Sequence, residues 1–261
     1  MEYKTNKFGV IIPPQITKSF RTFSLELEYH DFFLVYIKLA ETYINRHKED
    51  VRSQLVELYS AEGNEISNAL VYYFQNTDIS YLLDSRTYEI YFSQMAFART
   101  VDNFITYFKD LLAEVINVSP EILRSKEQER LDFILQFDTI EELRNVIAEK
   151  KIEELFYRGI LDINKFFEEK LGIKLFKTEE DLNNVNALVK QRNLIVHNRG
   201  RINKQFLKEF PKSNFEENKY LVFSYENLSR INVMLSNFLV YIDKEVGSKF
   251  GLELIENMTL V

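Results

Sequence analysis

Apolar residues recur at helical spacing over most of this chain. The clearest stripe lies between Ser85 and Val118. There Val101, Phe104, Ile105, Phe108, Leu111, Leu112, Val115 and Ile116 fall at i, i+3, i+4 and i+7, the period of a helix with one buried face. Asp102, Thr106 and Asp110 mark its opposite face. A second stripe (Ile152, Leu155, Phe156, Ile160, Ile163, Phe166, Phe167, Leu171) predicts one helix ended by Gly172. A third, from Leu228 through Leu235 and Leu239 to Val246, predicts a helix near the C-terminus. A fourth helix is expected from Glu179 to about Asn198, with Gly200 suited to its exit. Earlier, the pattern is helical from about Ser19 to Tyr59, breaks at Gly63 and Asn64, and resumes to about Phe74. Asn76-Thr77-Asp78 reads as a turn.

Residues 1–19 read as an extended arm, because Pro13 and Pro14 fix their own φ and restrict the residue before them. Ser119-Pro120-Glu121 reads as a helix start. Thr139 with Glu142, and Thr178 with Asp181, read as capping boxes. A linker is expected from Ile202 to Lys219, and a short extended piece at Tyr220–Phe223. The expected fold is all-α: an antiparallel helical bundle over 85–261, preceded by an arm and helical extension over 1–84 that either stands apart or packs into one domain.

Composition supports long helices. The 261 residues include seven Gly and four Pro, and Gly63 is the only residue of either type between Gln15 and Ser119. Twenty-two Phe and fifteen Tyr promise a bulky aromatic core. Zero Cys excludes disulfides and thiolate metal sites. No run of eighteen apolar residues occurs, and no apolar stretch follows a basic start, so a soluble, cytoplasmic protein without a membrane partner is expected.

Net charge is −7, which argues against a general nucleic-acid coat. Between Lys190 and Lys212, however, Lys190, Arg192, Arg199, Arg201, Lys204, Lys208 and Lys212 meet a single acid, Glu209. That window is +6 and the rest of the chain is −13. Such a basic island suits a local phosphate site, and equally a solvated loop.

Within this island lies the least ordinary stretch, Gln191-Arg192-Asn193-Leu194-Ile195-Val196-His197-Asn198-Arg199-Gly200. The stripe Leu182, Val185, Leu188, Val189 resumes at Ile195 and Val196, which puts Arg192 on the buried face. A guanidinium keeps its proton, so burying it costs free energy unless an anion meets it. His197 follows five residues later. A fixed cation beside an imidazole suits phosphate chemistry: the imidazole serves as general base or acid and the guanidinium stabilises charge on the phosphorane. Residues five apart on a helix are about 140° apart, so one copy presents the two poorly together, whereas Asn193 and His197 share a face. A packing role stays open, in which Arg192 pairs with Asp102 or Asp110 and His197 merely favours the helix dipole.

The run Arg192-Asn193, three apolar residues, His197 and the Asn198-Arg199-Gly200 turn resembles the R-x4-6-H signature of the HEPN superfamily (higher eukaryotes and prokaryotes nucleotide-binding). The match covers about twenty residues, and the helical pattern from roughly Tyr88 to Val246 is compatible with it. Members are all-helical and usually dimeric, and many are metal-independent endoribonucleases of toxin–antitoxin, abortive-infection and other defence systems.

The resemblance implies a homodimer with a composite site of Arg192, His197 and Asn193, acting on RNA. Asp102 or Asp110 is a supporting acid, and Lys190, Arg199, Arg201 and Lys204 bind phosphate. An antitoxin or defence-operon protein is an expected partner. The alternative is a catalytically silent HEPN-like scaffold that binds a nucleotide, a nucleic acid or a protein. A further alternative is a helical interaction subunit with a fortuitous motif. No cofactor or metal is expected, because His30, His47 and His197 show no ligand spacing. Neither a glycine-rich phosphate loop nor a GxSxG elbow occurs. Among the aromatics, Tyr220 and Phe223, close to the basic linker, are the candidates to meet RNA.

Overall fold

The computed structural model describes residues 4–5, 9–76, 85–124, 128–211 and 214–257. Among these, short strands β1 (Lys4–Thr5), β2 (Ile11–Ile12) and β3 (Gln15–Ile16) precede the helices α1 (Lys18–Arg46), α2 (Lys48–Glu62), α3 (Glu65–Asn76) and α4 (Ser85–Val118). Then follow α5 (Leu131–Ile134), α6 (Ile140–Arg158), α7 (Ile160–Phe166), α8 (Glu179–Asn198), α9 (Lys204–Glu209), α10 (Tyr225–Phe250) and β4 (Ile255–Glu256). The chain is all-α, as the 3.6-residue stripes require.

Helix α4 is the centre. Its Phe104, Tyr107, Phe108, Leu111, Leu112 and Val115 are each at most 1% exposed. Around it gather Leu235, Leu239 and Val246 of α10, Ile160 and Ile163 of α7, Val185, Val189 and Leu194 of α8, and Phe20, Phe23 and Leu34 of α1. The core therefore takes in residues from both sides of position 84. Helix α1 runs antiparallel to α4: Ser19 donates to Glu114, Asn103 to the carbonyl of Phe23, and Arg99 pairs with Glu26. Thr100 donates to Asn232 and Tyr107 to Asp243, so α10 runs parallel to α4.

Several boundaries differ from the periodic pattern. The helix expected through Tyr59 breaks at His47, whose φ of −130° and ψ of 38° leave the helical region while its N–H closes on the carbonyls of Tyr43 and Ile44. Its ring packs 4.7 Å from that of Tyr43. No Gly or Pro announces this break. The helix expected through Leu171 is interrupted at Gly159, which adopts φ +96°, and it finishes in a π-helical turn over Phe167–Leu171. Apolar spacing passes unbroken through a bend of this kind when both segments face one core. Ser119-Pro120-Glu121 opens only a 3₁₀ turn, Pro120–Leu123, and Ser119 makes no side-chain cap. Thr139 accepts from the N–H of Glu142, and Thr178 with Asp181 forms a reciprocal box. The expected linker contains α9. The turn at Thr77-Asp78 lies outside the described residues.

Extended structure also occurs beyond Tyr220–Phe223. Gln15 and Ile16 pair with Glu256 and Ile255, tying both ends of the bundle together. The arm is locked by a buried polar cluster. Asp243, 3% exposed, accepts from the backbone N–H and hydroxyl of Thr17 and from the Tyr107 hydroxyl. Burial pushes the Asp243 carboxyl above the ordinary carboxylate range, against these hydrogen bonds, which favour the ion. A group whose folded pKa is raised contributes stability at low pH that fades as pH rises through that pKa. Asp243→Ala strands three buried donors. We expect it to destabilise the fold by about 3 kcal/mol, at about 1 kcal/mol or more per unsatisfied group, read as a lower urea midpoint.

Candidate functional site

The motif lies on α8. The Thr178–Asp181 box fixes the start of this helix, and Glu179, Glu180 and Asp181 complement its dipole. The helix packs on α4 and α7 through Val185, Val189 and Leu194. The apolar stripe ends differently from the spacing. Leu194 is buried, Ile195 is half-buried, and Val196 is 51% exposed. At this end the Leu194 carbonyl accepts from both Arg199 and Gly200.

Arg192 sits at the seam of α8 and α4. Its side chain is 27% exposed, and Nε lies 2.7 Å from Oδ1 of Asp102. The Nε–H is nevertheless buried and aimed off any acceptor, so charge rather than a directed hydrogen bond holds the pair. Nη1 donates to Oδ1 of Asn193 at 3.3 Å. Asp102 is therefore the fixed counter-ion of Arg192. Asp110, two turns on, makes no ion pair among the described residues. Its carboxyl is pushed above its ordinary value by burial, an effect Lys109 opposes and Glu114 reinforces.

His197 is exposed on the same continuous helix. It lies about 7.5 Å along the axis from Arg192 and about 140° around it. A single copy therefore aims the two groups in different directions. Asn193, half-buried, is one turn before His197.

The helix leaves through left-handed residues, beginning at Arg199 (φ +53°) rather than at the glycine, with Gly200 (φ +72°) following. Residues 200–202 then pair with 218–221. Leu221 donates to Gly200, Ile202 to Lys219 and Asn218 to Ile202, each at 2.9 Å. Gln94 of α4, buried, clasps this ladder by donating to the Leu221 carbonyl at 2.7 Å. A Cβ on Gly200 would overlap the Gln94 carboxamide. Gly200→Ala is therefore expected to destabilise the fold by about 1–3 kcal/mol, from backbone strain and overpacking together, and to lower the midpoint of thermal unfolding.

The basic island is partly neutralised. Lys190 pairs with Glu209 of α9 at 3.0 Å. Arg201 donates to the Tyr220 hydroxyl at 3.0 Å and lies over its ring, 5.1 Å from the centroid. Arg199, Lys204 and Lys208 are exposed, and Lys212 lies outside the described residues. Phe223 is not available to stack on a base: it is 7% exposed and stacked on Phe97 at 4.1 Å. Tyr220, 45% exposed, remains accessible. The partnership of Gln94 with Gly200 and Leu221 does not follow from the sequence pattern. Its signal was a lone carboxamide beside apolar neighbours.

Two surface cavities, one lined by Asn45, Arg46, His47, Lys48 and Asp50 and one lined by Ile122, Leu155, Phe166 and nearby charged side chains, include none of the motif residues. Among the described residues, no group of three or more His, Asp or Glu is placed to hold a metal ion, and no helix is long and apolar enough to cross a membrane. Comparison with models of protein families, with curated proteins and with solved structures gave no match to this chain.

Proposed function

We propose that this protein is a HEPN-type, metal-independent endoribonuclease that works as a homodimer in a bacterial defence or toxin–antitoxin system. The observation that carries the reading is the disposition of the motif on α8. Arg192 is held half-buried at the α4 seam, and His197 stands exposed at the exit, beside the exposed Arg199. The identical spacing in the HEPN signature supports it.

The chemistry is an in-line transfer. A base, His197, takes the proton of the ribose 2′-hydroxyl. The 2′-oxygen attacks phosphorus, the bond from phosphorus to the 5′-oxygen breaks, and an acid returns a proton to that oxygen. The products are a 2′,3′-cyclic phosphate and a 5′-hydroxyl. Arg192 offers its fork to the non-bridging oxygens as charge builds there. Because one helix aims the two groups about 140° apart, a two-fold pair of α8 helices supplies Arg192 of one copy and His197 of the other to one phosphate. Asn193, one turn before His197, orients the imidazole or the phosphate. Arg199, Arg201 and Lys204 guide the backbone of the RNA, and Lys190 joins them when phosphate displaces Glu209. A cognate antitoxin or operon partner would restrain the site.

The pairing of Arg192 with Asp102 favours a second reading, a silent HEPN-like scaffold in which the guanidinium is a packing element and the basic exit binds nucleic acid or protein without cleaving it. Incubation of the purified protein with single-stranded RNA, with and without EDTA, separates the two. Chelator-insensitive cleavage leaving cyclic phosphate ends is the expected result. No cleavage under any condition leaves the scaffold, and cleavage abolished by EDTA removes the metal-independent mechanism.

A further inference from the structure

Helix α1 is amphipathic twice over. Its inner edge, Phe20, Phe23, Leu27, His30 and Leu34, packs into the bundle at alternating spacings of three and four. On the opposite side a second series with the same alternation, Leu25, Tyr29, Phe32, Tyr36, Leu39 and Tyr43, is 41–69% exposed. An outward helical face carries polar residues by default. Here no charge interrupts the stripe for about 27 Å.

We propose that this outer stripe is a self-association surface, on which α1 of a second copy of this chain packs antiparallel. Three observations select that occupant. The first is area. The six side chains expose roughly 700 Å², taking about 200 Å² for each full side chain, close to the roughly 800 Å² that each partner of a stable complex contributes. The second is periodicity. A spacing of 3.5 residues is what lets one helix pack along another at length, and it is self-complementary. Setting Leu25 opposite Tyr43 also sets Tyr29 opposite Leu39 and Phe32 opposite Tyr36, so every member of the stripe has a partner. The third is charge. The six stripe positions carry no charge, and charges beside them are met within the same copy: Glu26 pairs with Arg99, Asp31 accepts from Asn232, and Lys38 pairs with Glu41. Antiparallel packing also sets the two helix dipoles against each other, which is favourable.

The stripe is on the side of α1 away from the bundle. This contact is therefore distinct from any pairing of α8 helices and stands whether or not the motif cleaves RNA. Light scattering tests it on the full chain. The double variant Phe32→Glu/Tyr36→Glu alters only exposed positions. It should halve the particle mass at micromolar concentration, with the dissociation constant raised roughly 100-fold or more, as for loss of two central anchors. The native chain lacks Cys, so orientation is read by mixing Phe32→Cys and Tyr36→Cys proteins under oxidation. The antiparallel pair yields the mixed disulfide dimer in excess over either homodimer. A wild-type particle that is already monomeric at tens of micromolar, or a mass unchanged by the double variant, overturns the proposal. Homodimeric cross-links alone overturn the antiparallel arrangement.

Discussion

His197→Ala is expected to lower RNA cleavage by about two to four orders of magnitude, the usual worth of a general acid or base, while the fold is kept. The imidazole is exposed in the last turn of α8. Its removal leaves no buried group unsatisfied, and a surface substitution of this kind shifts stability by about 0.5 kcal/mol or less. That separation gives the experiment its force, because lost activity with an unchanged thermal midpoint cannot be blamed on unfolding. Cleavage by wild type should continue in EDTA, and the new 5′ ends should be hydroxyls. Equal rates for wild type and His197→Ala would end the ribonuclease reading and leave the scaffold.

Arg192→Ala should reduce cleavage by a comparable factor, with a smaller structural effect beside it. The Arg192–Asp102 pair is partly exposed, at 27% and 37%, so solvent screens it and breaking it costs about 1 kcal/mol. Arg192→Lys keeps the charge and loses the planar fork. A folded, inactive Arg192→Lys protein assigns the guanidinium to the phosphate, and an active one assigns it to packing. Asp102→Asn approaches from the other side. Removing the counter-ion frees the fork, and RNA affinity should rise roughly fivefold at low salt, the equivalent of about 1 kcal/mol. If Asp102→Asn weakens RNA binding instead, Asp102 is a supporting group of the site rather than a competitor for its cation.

The α4 core, the bounds of α8 and the all-α class were legible because each follows from local rules. Phe104, Phe108, Leu111 and Val115 are spaced for one face of a helix, and they lie at most 1% exposed. Thr178 and Asp181 announce a box that forms. Arg192 stood out as a cation on an apolar stripe, and it is half-buried with an acid at hand, Asp102, one of two that spacing on α4 offered.

Other features were decided by long-range contacts that no local window contains. Gly159 breaks a helix whose apolar period runs straight on, because Ala148 and Ile152 before it and Ile160 and Ile163 after it face the same core; beyond His47 the chain leaves that core, and α2 packs on α3. Phe223 looked available beside a basic linker. It is core because the 218–221 segment pairs with 200–202 and is held by Gln94, which sets the Phe223 ring on Phe97. Lys190 meets its acid, Glu209, only through the placement of α9 beside α8.

The outer stripe of α1 shows the same division most sharply. Sequence alone determines that α1 is apolar and helical through Phe32 and Tyr36, since period and propensity are properties of neighbouring residues. Which of its two apolar sides enters the core is decided only by the tertiary structure. That choice depends on shape and polar partners supplied from α4 and α10, among them the Asn103 bond to Phe23 and the Asn232 bond to Asp31, from residues about 80 to 200 positions away in the chain.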